Sequence, residues 1–242
     1  MSARGKTLLF RMTARKGFLP SHVAEVGVYL PEASNIFDFI EAGVRCTLVE
    51  PDPASIEKIR ERFAAARNVT LHAVAVYDSN GELELVHRNA STFVAELASS
   101  PAMVNDGYTL DARDKFTVEA RTFDRVDDGT IDLLSVDTEG SEWFVIKHMK
   151  SRPAIISLET HGAAYVNHYL GEILSWMREH GYRIWYKDKT DSVFVRRDRI
   201  DVTIADTLRL ACMNRYIALR RGRRRLRRFF RTPADRSRGR SA

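Results

Sequence analysis

The sequence predicts an α/β protein: a Rossmann-like, doubly wound, mainly parallel sheet with a C-terminal antiparallel hairpin, followed by a basic helical tail. Three observations carry that expectation. Short runs such as 23–29 ("VAEVGVY") and 45–50 ("RCTLVE") alternate with amphipathic stretches of helical length, the order of parallel strands joined by crossover helices. The runs are mostly apolar rather than alternating, as strands buried on both faces are. They also end in polar or acidic residues, at the edge where such sheets meet their ligands.

The elements follow in order. Residues 1–22 form a basic extension whose longest apolar run, Leu8-Leu9-Phe10, is too short for a signal segment or a spanning helix. The domain proper is expected over 23–200. After the first strand, 32–43 ("EASNIFDFIEAG") puts Ile36, Phe37, Phe39 and Ile40 on one helical face and closes on Gly43. The strand 45–50 leads to a helix at 53–68 and a third strand at 69–78. Asn80-Gly81 is the turn dipeptide of a hairpin. Residues 89–114 mix small and polar residues with isolated hydrophobes and are expected to form an insertion or substrate lid. Regular patterning resumes at 115–126. A strand at 131–137, a helix at 141–149, a strand at 154–160 and a helix at 169–181 follow, and 182–188 with 192–197 form the closing hairpin.

Length and composition suit one generous domain with an appendage: of 242 residues 44% are hydrophobic, ample for a packed core. Cys46 and Cys212 stand far apart, which argues for a reducing compartment and against a disulfide framework. A cytoplasmic location is expected. The net charge of +6 is unevenly placed: residues 220–242 hold eleven arginines against Asp235, a balance of +10. Removing that +10 from the total of +6 leaves residues 1–219 at −4, so the basic character belongs to the tail and not to the body.

The chemistry-bearing residues lie at strand ends. Glu25 and Gly27 end the first run, and Glu50 ends the second, well placed to accept hydrogen bonds from two vicinal ribose hydroxyls. That geometry suits NAD or S-adenosylmethionine. NAD also requires a glycine-rich turn that brings backbone against a pyrophosphate. Here the turn reads "GVYLPE", bulky and followed by an acid, so a phosphate-free cofactor with a cationic sulfonium fits better. Further on, Asp137 ends a buried strand, with Glu139, Gly140 and Glu142 directly after it. Glu139 and Glu142 also suit the positive end of a helix starting there. The next strand ends in Glu159 and His161. An Asp, Glu and His meeting at one edge are compatible with a general base or with a divalent-metal site, and the spacing does not choose.

Taken together, "EVGVYLPEAS", "CTLVEPDP", "VAVYDSNGELEL", "ARTFDRV", "IDLLSVDTEGSEWFVIK" and "PAIISLETH" resemble the FkbM-type methyltransferases, class I S-adenosylmethionine-dependent enzymes, over roughly residues 23–161. The D-x-E-G-x-E block at 137–142 is the most specific match. The resemblance implies methyl transfer, mostly to hydroxyl groups of small molecules, sugars or glycans. It places Glu25, Gly27, Tyr29 and Ser34 in the cofactor turn and Glu50 on the adenosine ribose. Pro51 and Asp52 then border the adenine, Asp78 approaches its amino edge, and Asp137 and Glu139 lie beneath the transfer site. His161 or Asp137 is the expected base, with Glu159 orienting it or sharing a metal. The sequence departs from the family's usual "DVGANIG" turn at Tyr29 and Pro31, which touches the cofactor's methionine end. That departure favours the rival reading, a catalytically weak module that docks partners through the tail.

The tail, 201–242, begins as a helix over 205–230 in which Leu208, Cys212, Tyr216 and Leu219 share a face, with Leu226, Phe229 and Phe230 beyond. Arginines beside an apolar stripe suit peripheral attachment to the anionic inner face of a membrane through Arg220–Arg231. Nucleic acid is the weaker expectation, because the body is net negative and has no aromatic RNP-like segment.

Overall fold

The computed structural model describes residues 5–88, 91–97, 100–106, 111–162 and 165–229. The strands β1 (His22–Val26), β2 (Arg45–Val49), β3 (Val69–His72), β4 (Ala75–Val76), β5 (Gly81–Arg88), β6 (Ser91–Val94), β7 (Lys115–Arg121), β8 (Leu133–Val136), β9 (Ile155–Glu159), β10 (Tyr182–Lys187) and β11 (Asp191–Arg196) form two sheets. The larger has the order β10-β11-β9-β8-β1-β2-β3, and the smaller β4-β7-β5-β6. In the larger sheet β3, β2, β1, β8 and β9 run parallel, while β11 lies antiparallel to both β9 and β10. The doubly wound sheet and its closing hairpin are as the sequence predicts.

Alternate strand residues feed two cores, one on each face. Val23, Leu48, Leu133 and Ile155 pack with Leu9 and Met12 of α1 (Leu8–Arg15), Phe39 and Ile40 of α2 (Phe37–Glu41) and Ile59 of α3 (Pro53–Arg62). On the other face Ala24, Val49, Leu134 and Ile156 pack with Val145 and Ile146 of α5 (Glu142–Lys147) and with Ile173 and Met177 of α6 (Leu170–Glu179). Residues 8–15, expected to belong to an extension, are thus part of the main core. Thr7 caps α1 by accepting the Phe10 N–H.

Three expectations are corrected. The run 69–78 is two strands: β3 ends at His72, and β4 joins the smaller sheet. Asn80-Gly81 turns the chain but makes no hairpin, because β7 lies between β4 and β5. Within 89–114 the described residues include β6, paired to β5, and α4 (Pro101–Asp106), so this stretch supplies an edge strand rather than only a lid.

The final helix α7 (Ile204–Phe229) packs against β10, with Leu210, Met213 and Ile217 half-buried on one of its faces. The predicted stripe lies on its other side: Leu208 is 62% exposed and Leu219 66%. The side chains of 224–229, Leu226 and Phe229 among them, and residues 230–242 lie outside the described residues, and with them eight of the eleven arginine side chains of 220–242. Among the described residues no helix is long and apolar enough to cross a membrane.

Candidate active site

Sheet order reverses between β1 and β8, and the carboxyl ends of these strands diverge there, the place where open α/β sheets bind ligands. Together with the smaller sheet they bound a cleft enclosing about 950 Å³ of empty space, its open mouth included. The floor is polar, with Glu25, Glu50, Asp137 and Glu139. The smaller sheet and the segment leading into it give an apolar wall, with Val74, Leu83, Leu85 and Phe93.

Gly27 takes φ +82°, and a Cβ there would lie 1.8 Å from the carbonyl oxygen of Asp137. The position needs glycine twice over, for the left-handed backbone and for the close approach of the two strand ends. Tyr29 also lies in the left-handed region, at φ +56°, which a bulky residue adopts only when its surroundings impose it. Glu50 does so. Its Oε2 accepts the N–H groups of Val28 and Tyr29, both at 2.8 Å, and its Oε1 accepts the Asp52 N–H at 3.0 Å. The turn that departs from the family's glycine pattern is therefore held by the acid at the end of the neighbouring strand.

Glu25 is 2% exposed; its carboxylate accepts the Ser34 hydroxyl at 2.5 Å and the Asn35 N–H at 2.9 Å. Burial raises its pKa to about 7, against the pull of those two hydrogen bonds.

The loop after β8 is shaped by Glu142. This fully buried side chain accepts the Thr138 N–H at 2.9 Å, the Gly140 N–H at 3.2 Å and the Thr138 hydroxyl at 3.3 Å on Oε1, and the Asn167 amide on Oε2. Between those anchors Glu139 sits at φ +53°. Parallel register pairs Val136 with Leu158, so Asp137 and Glu159 leave adjacent strands side by side. Carboxylate oxygens of Asp137, Glu142 and Glu159 lie within 4.8 Å of one another. Among the described residues none of the three forms a salt bridge. Burial, then the neighbouring carboxylates beginning with Glu139, raises Asp137 well above the ordinary aspartate range. Glu159 is raised by burial and then by Asp137.

Of the predicted cofactor turn, Glu25, Gly27, Tyr29, Glu50 and Pro51 line the cleft, and Asp137 and Glu139 face them. Five predicted residues do not line the cleft, and of these Glu159 stands beside Asp137 in the acid cluster. Ser34 is buried behind the turn on Glu25. Asp52 caps α3, accepting the Ser55 hydroxyl at 2.8 Å. Asp78 is on the surface with Lys147 at 2.5 Å and His148 at 3.0 Å. His161 is buried with both ring nitrogens engaged, Nδ1 with the Thr160 hydroxyl and Nε2 donating to the Asp188 carbonyl. Burial lowers its pKa, and no ring nitrogen is left to take a proton in the cleft. Glu142, which also suits a helix start, stands in the first turn of α5 and joins the acid cluster as well. The wall residues had no signal beyond the apolar runs that carry them.

Among solved structures the chain resembles a methyltransferase FkbM from Methylobacillus flagellatus KT, with TM-score 0.50 and 15% identity over 75% of this chain and 46% of that one. The chain therefore spans less than half the length of that protein. It also aligns with a precorrin-6y C5,15-methyltransferase from Geobacter metallireducens GS-15, with TM-score 0.39, 14% identity and 80% and 90% of the two chains covered. A third match is the methyltransferase domain of a bacterial Hen1, with TM-score 0.43, 10% identity and coverages of 77% and 96%. At such identities the first likeness is one of fold. No curated protein sequence matches the chain. A family model described as the methyltransferase FkbM domain matches residues 17–184.

Proposed function

The chain belongs to the FkbM methyltransferase family, and on that premise we propose that it is an S-adenosylmethionine-dependent O-methyltransferase acting on a hydroxyl of a small molecule, sugar or glycan. The observation that carries this reading is the floor of the cleft: Glu25, Glu50, Asp137 and Glu139 gather at the sheet's switch point with no glycine-rich nest for phosphate. An acidic floor fits a donor that is cationic at sulfur and has no pyrophosphate. Oε1 of Glu50 accepts one hydrogen bond and keeps a lone pair for a ribose hydroxyl. The apolar wall of Val74, Leu83, Leu85 and Phe93 fits a flat or aliphatic ligand body.

When bound, S-adenosylmethionine supplies the methyl group. The residues of the chain orient the acceptor and take its proton. Asp137 opens into the cleft, and its raised pKa makes it a stronger base than a free surface carboxylate. Burial and the neighbouring carboxylates of Glu139, Asp191 and Glu142 disfavour its charged form, which favours proton uptake. The wall of the smaller sheet excludes water from the acceptor's side.

Calorimetric titration with S-adenosylmethionine tests the cofactor assignment. Glu50→Ala should bind about tenfold or more weakly, the loss of a hydrogen bond to a charged group. Unchanged affinity in a folded variant overturns the assignment. Formation of S-adenosylhomocysteine with a panel of hydroxyl acceptors, set beside a panel of amines, tests O-transfer. Product from amines alone replaces it with N-transfer, and binding without product from any acceptor returns the chain to the non-catalytic reading.

A further inference from the structure

We infer that the carboxylates of Asp137, Glu142 and Glu159, at the carboxyl ends of β8 and β9, form a binding site for one hard divalent cation of the Mg²⁺, Mn²⁺ or Ca²⁺ class.

The first support is geometric. Oxygens on opposite sides of a bound Ca²⁺ stand about 5 Å apart, and about 4 Å apart on Mg²⁺. Three carboxylate oxygens within 4.8 Å of one another fall inside the Ca²⁺ shell and need draw in by only about 1 Å to meet Mg²⁺. The second is an orphaned atom. Glu159 is 8% exposed, yet its buried Oε2 has no hydrogen-bond partner among the described residues. A buried carboxylate oxygen with neither donor nor counter-charge is costly, and a cation bound at the cluster lowers that cost.

Its neighbours make the contrast. Asp191, equally buried, takes the Ser157 hydroxyl at 3.0 Å and the Thr190 hydroxyl at 2.8 Å, and Glu25 takes Ser34 and Asn35. Those acids are satisfied by the protein, whereas Glu159 is not.

The surroundings complete a ligand set. The four donors on Glu142 fix its orientation, as hydrogen bonds around ligating carboxylates do. Asp137 opens into the cleft and gives the ion a way in. The donors are oxygen only, because His161 is committed to Thr160 and Asp188, and this selects a hard cation over zinc. On the methyl-transfer reading above, the ion places a Lewis acid beside the acceptor hydroxyl.

The test uses the full chain, stripped with EDTA and dialysed, and needs no acceptor. Free Mn²⁺ is followed by electron paramagnetic resonance during titration, and melting is recorded with and without the metal. The wild type should bind one Mn²⁺ per chain and melt higher with it. Glu159→Gln, which removes a like charge and keeps the shape, should bind at least tenfold more weakly and lose the rise in Tm. Glu119→Gln, on the exposed surface, should behave as wild type. No Mn²⁺ uptake by the wild type at millimolar metal overturns the inference, as does equal uptake by Glu159→Gln. If Glu159→Gln shows no melting transition, Asp137→Asn stands in with the same criteria. S-adenosylmethionine is titrated in parallel. Its binding without Mn²⁺ uptake overturns the ion and leaves the methyltransferase reading, and Mn²⁺ uptake without its binding does the reverse.

Discussion

β1 and β8 lie side by side, and an aspartate stands at each end of β8. At the amino end Asp132 ties the two strands together: Oδ2 accepts the Ser21 N–H at 2.8 Å, the Ser21 hydroxyl at 2.5 Å and the His22 N–H at 3.2 Å. Burial works to raise its pKa, but those donors outweigh it and the value is lowered. Nearby Asp128 is held at about 2, because hydrogen bonds from Thr130 and Arg45 outweigh its burial. At the carboxyl end Asp137 meets other acids, and its pKa is raised. The same residue type flanking the same strand is thus an anchor at one end and, on the function proposed above, the base at the other. The proposed chemistry falls where the sheet leaves its acids without partners of opposite charge.

Substitution at the reactive end should break that contrast most strongly. Asp137→Asn is expected to lower turnover by roughly 10²–10⁴-fold, the usual contribution of a positioned base, with S-adenosylmethionine affinity largely retained. Parallel calorimetry and product formation check it. A proportionate loss of both would make Asp137 a cofactor ligand rather than a base.

A smaller effect comes from Glu25. Its folded pKa of about 7 stands above the ordinary 4.5. Between those values the folded chain holds a proton that the unfolded chain has released, so stability falls as pH rises through that window and stays lower above it. The shift corresponds to about 3 kcal/mol at ~1.4 kcal/mol per unit. Glu25→Gln keeps an oxygen for the Asn35 N–H and gains an amide for Ser34. Its unfolding free energy should change less between pH 5 and pH 8 than that of wild type, measured with urea. An unchanged slope would place the pH dependence on the other strand-end acids.

Much of this contrast was legible in the sequence because it depends on local order. Apolar runs ending in acids gave β1, β2 and β8 and their reactive edge, and the Glu25, Gly27 and Glu50 triplet followed from spacing. What was not legible depends on distant pairing or on side-chain direction. β4 is two residues long and exists through Ala75 and Val76 pairing with Ala120 and Arg121, so no local pattern could reveal the smaller sheet or its apolar wall. Asn80-Gly81 carries a hairpin signal that β7 overrides. His161 stands two residues past Glu159, but the Asp188 carbonyl in the β10–β11 turn captures its ring. Asp52 was readable: an acid before Pro53, with Ser55 three residues on, is a helix cap, and that local role should have outweighed a ligand role. On α7 the sequence offers two apolar faces, and only the tertiary structure half-buries Leu210, Met213 and Ile217 and leaves Leu208 and Leu219 exposed.

The amino end of the strand pair should answer in stability alone. Asp132→Ala removes the acceptor for three donors that enter β1, and a cost of about 2 kcal/mol is expected from their lost hydrogen bonds. Since the folded pKa of Asp132 is lowered, its contribution is present above the ordinary aspartate range and fades as pH falls through the folded value. The variant should therefore differ from wild type at pH 7 and converge with it in acid. Turnover and cofactor affinity at pH 7 should match wild type below the melting range, because Ser21 and Asp132 lie at the opposite ends of the strands from the cleft. A fall in turnover without loss of stability would mean that strain passes along β1 to Gly27, whose contact with the Asp137 carbonyl leaves no slack. The two ends would then be one mechanical unit, and the division between anchor and reactive group would fail.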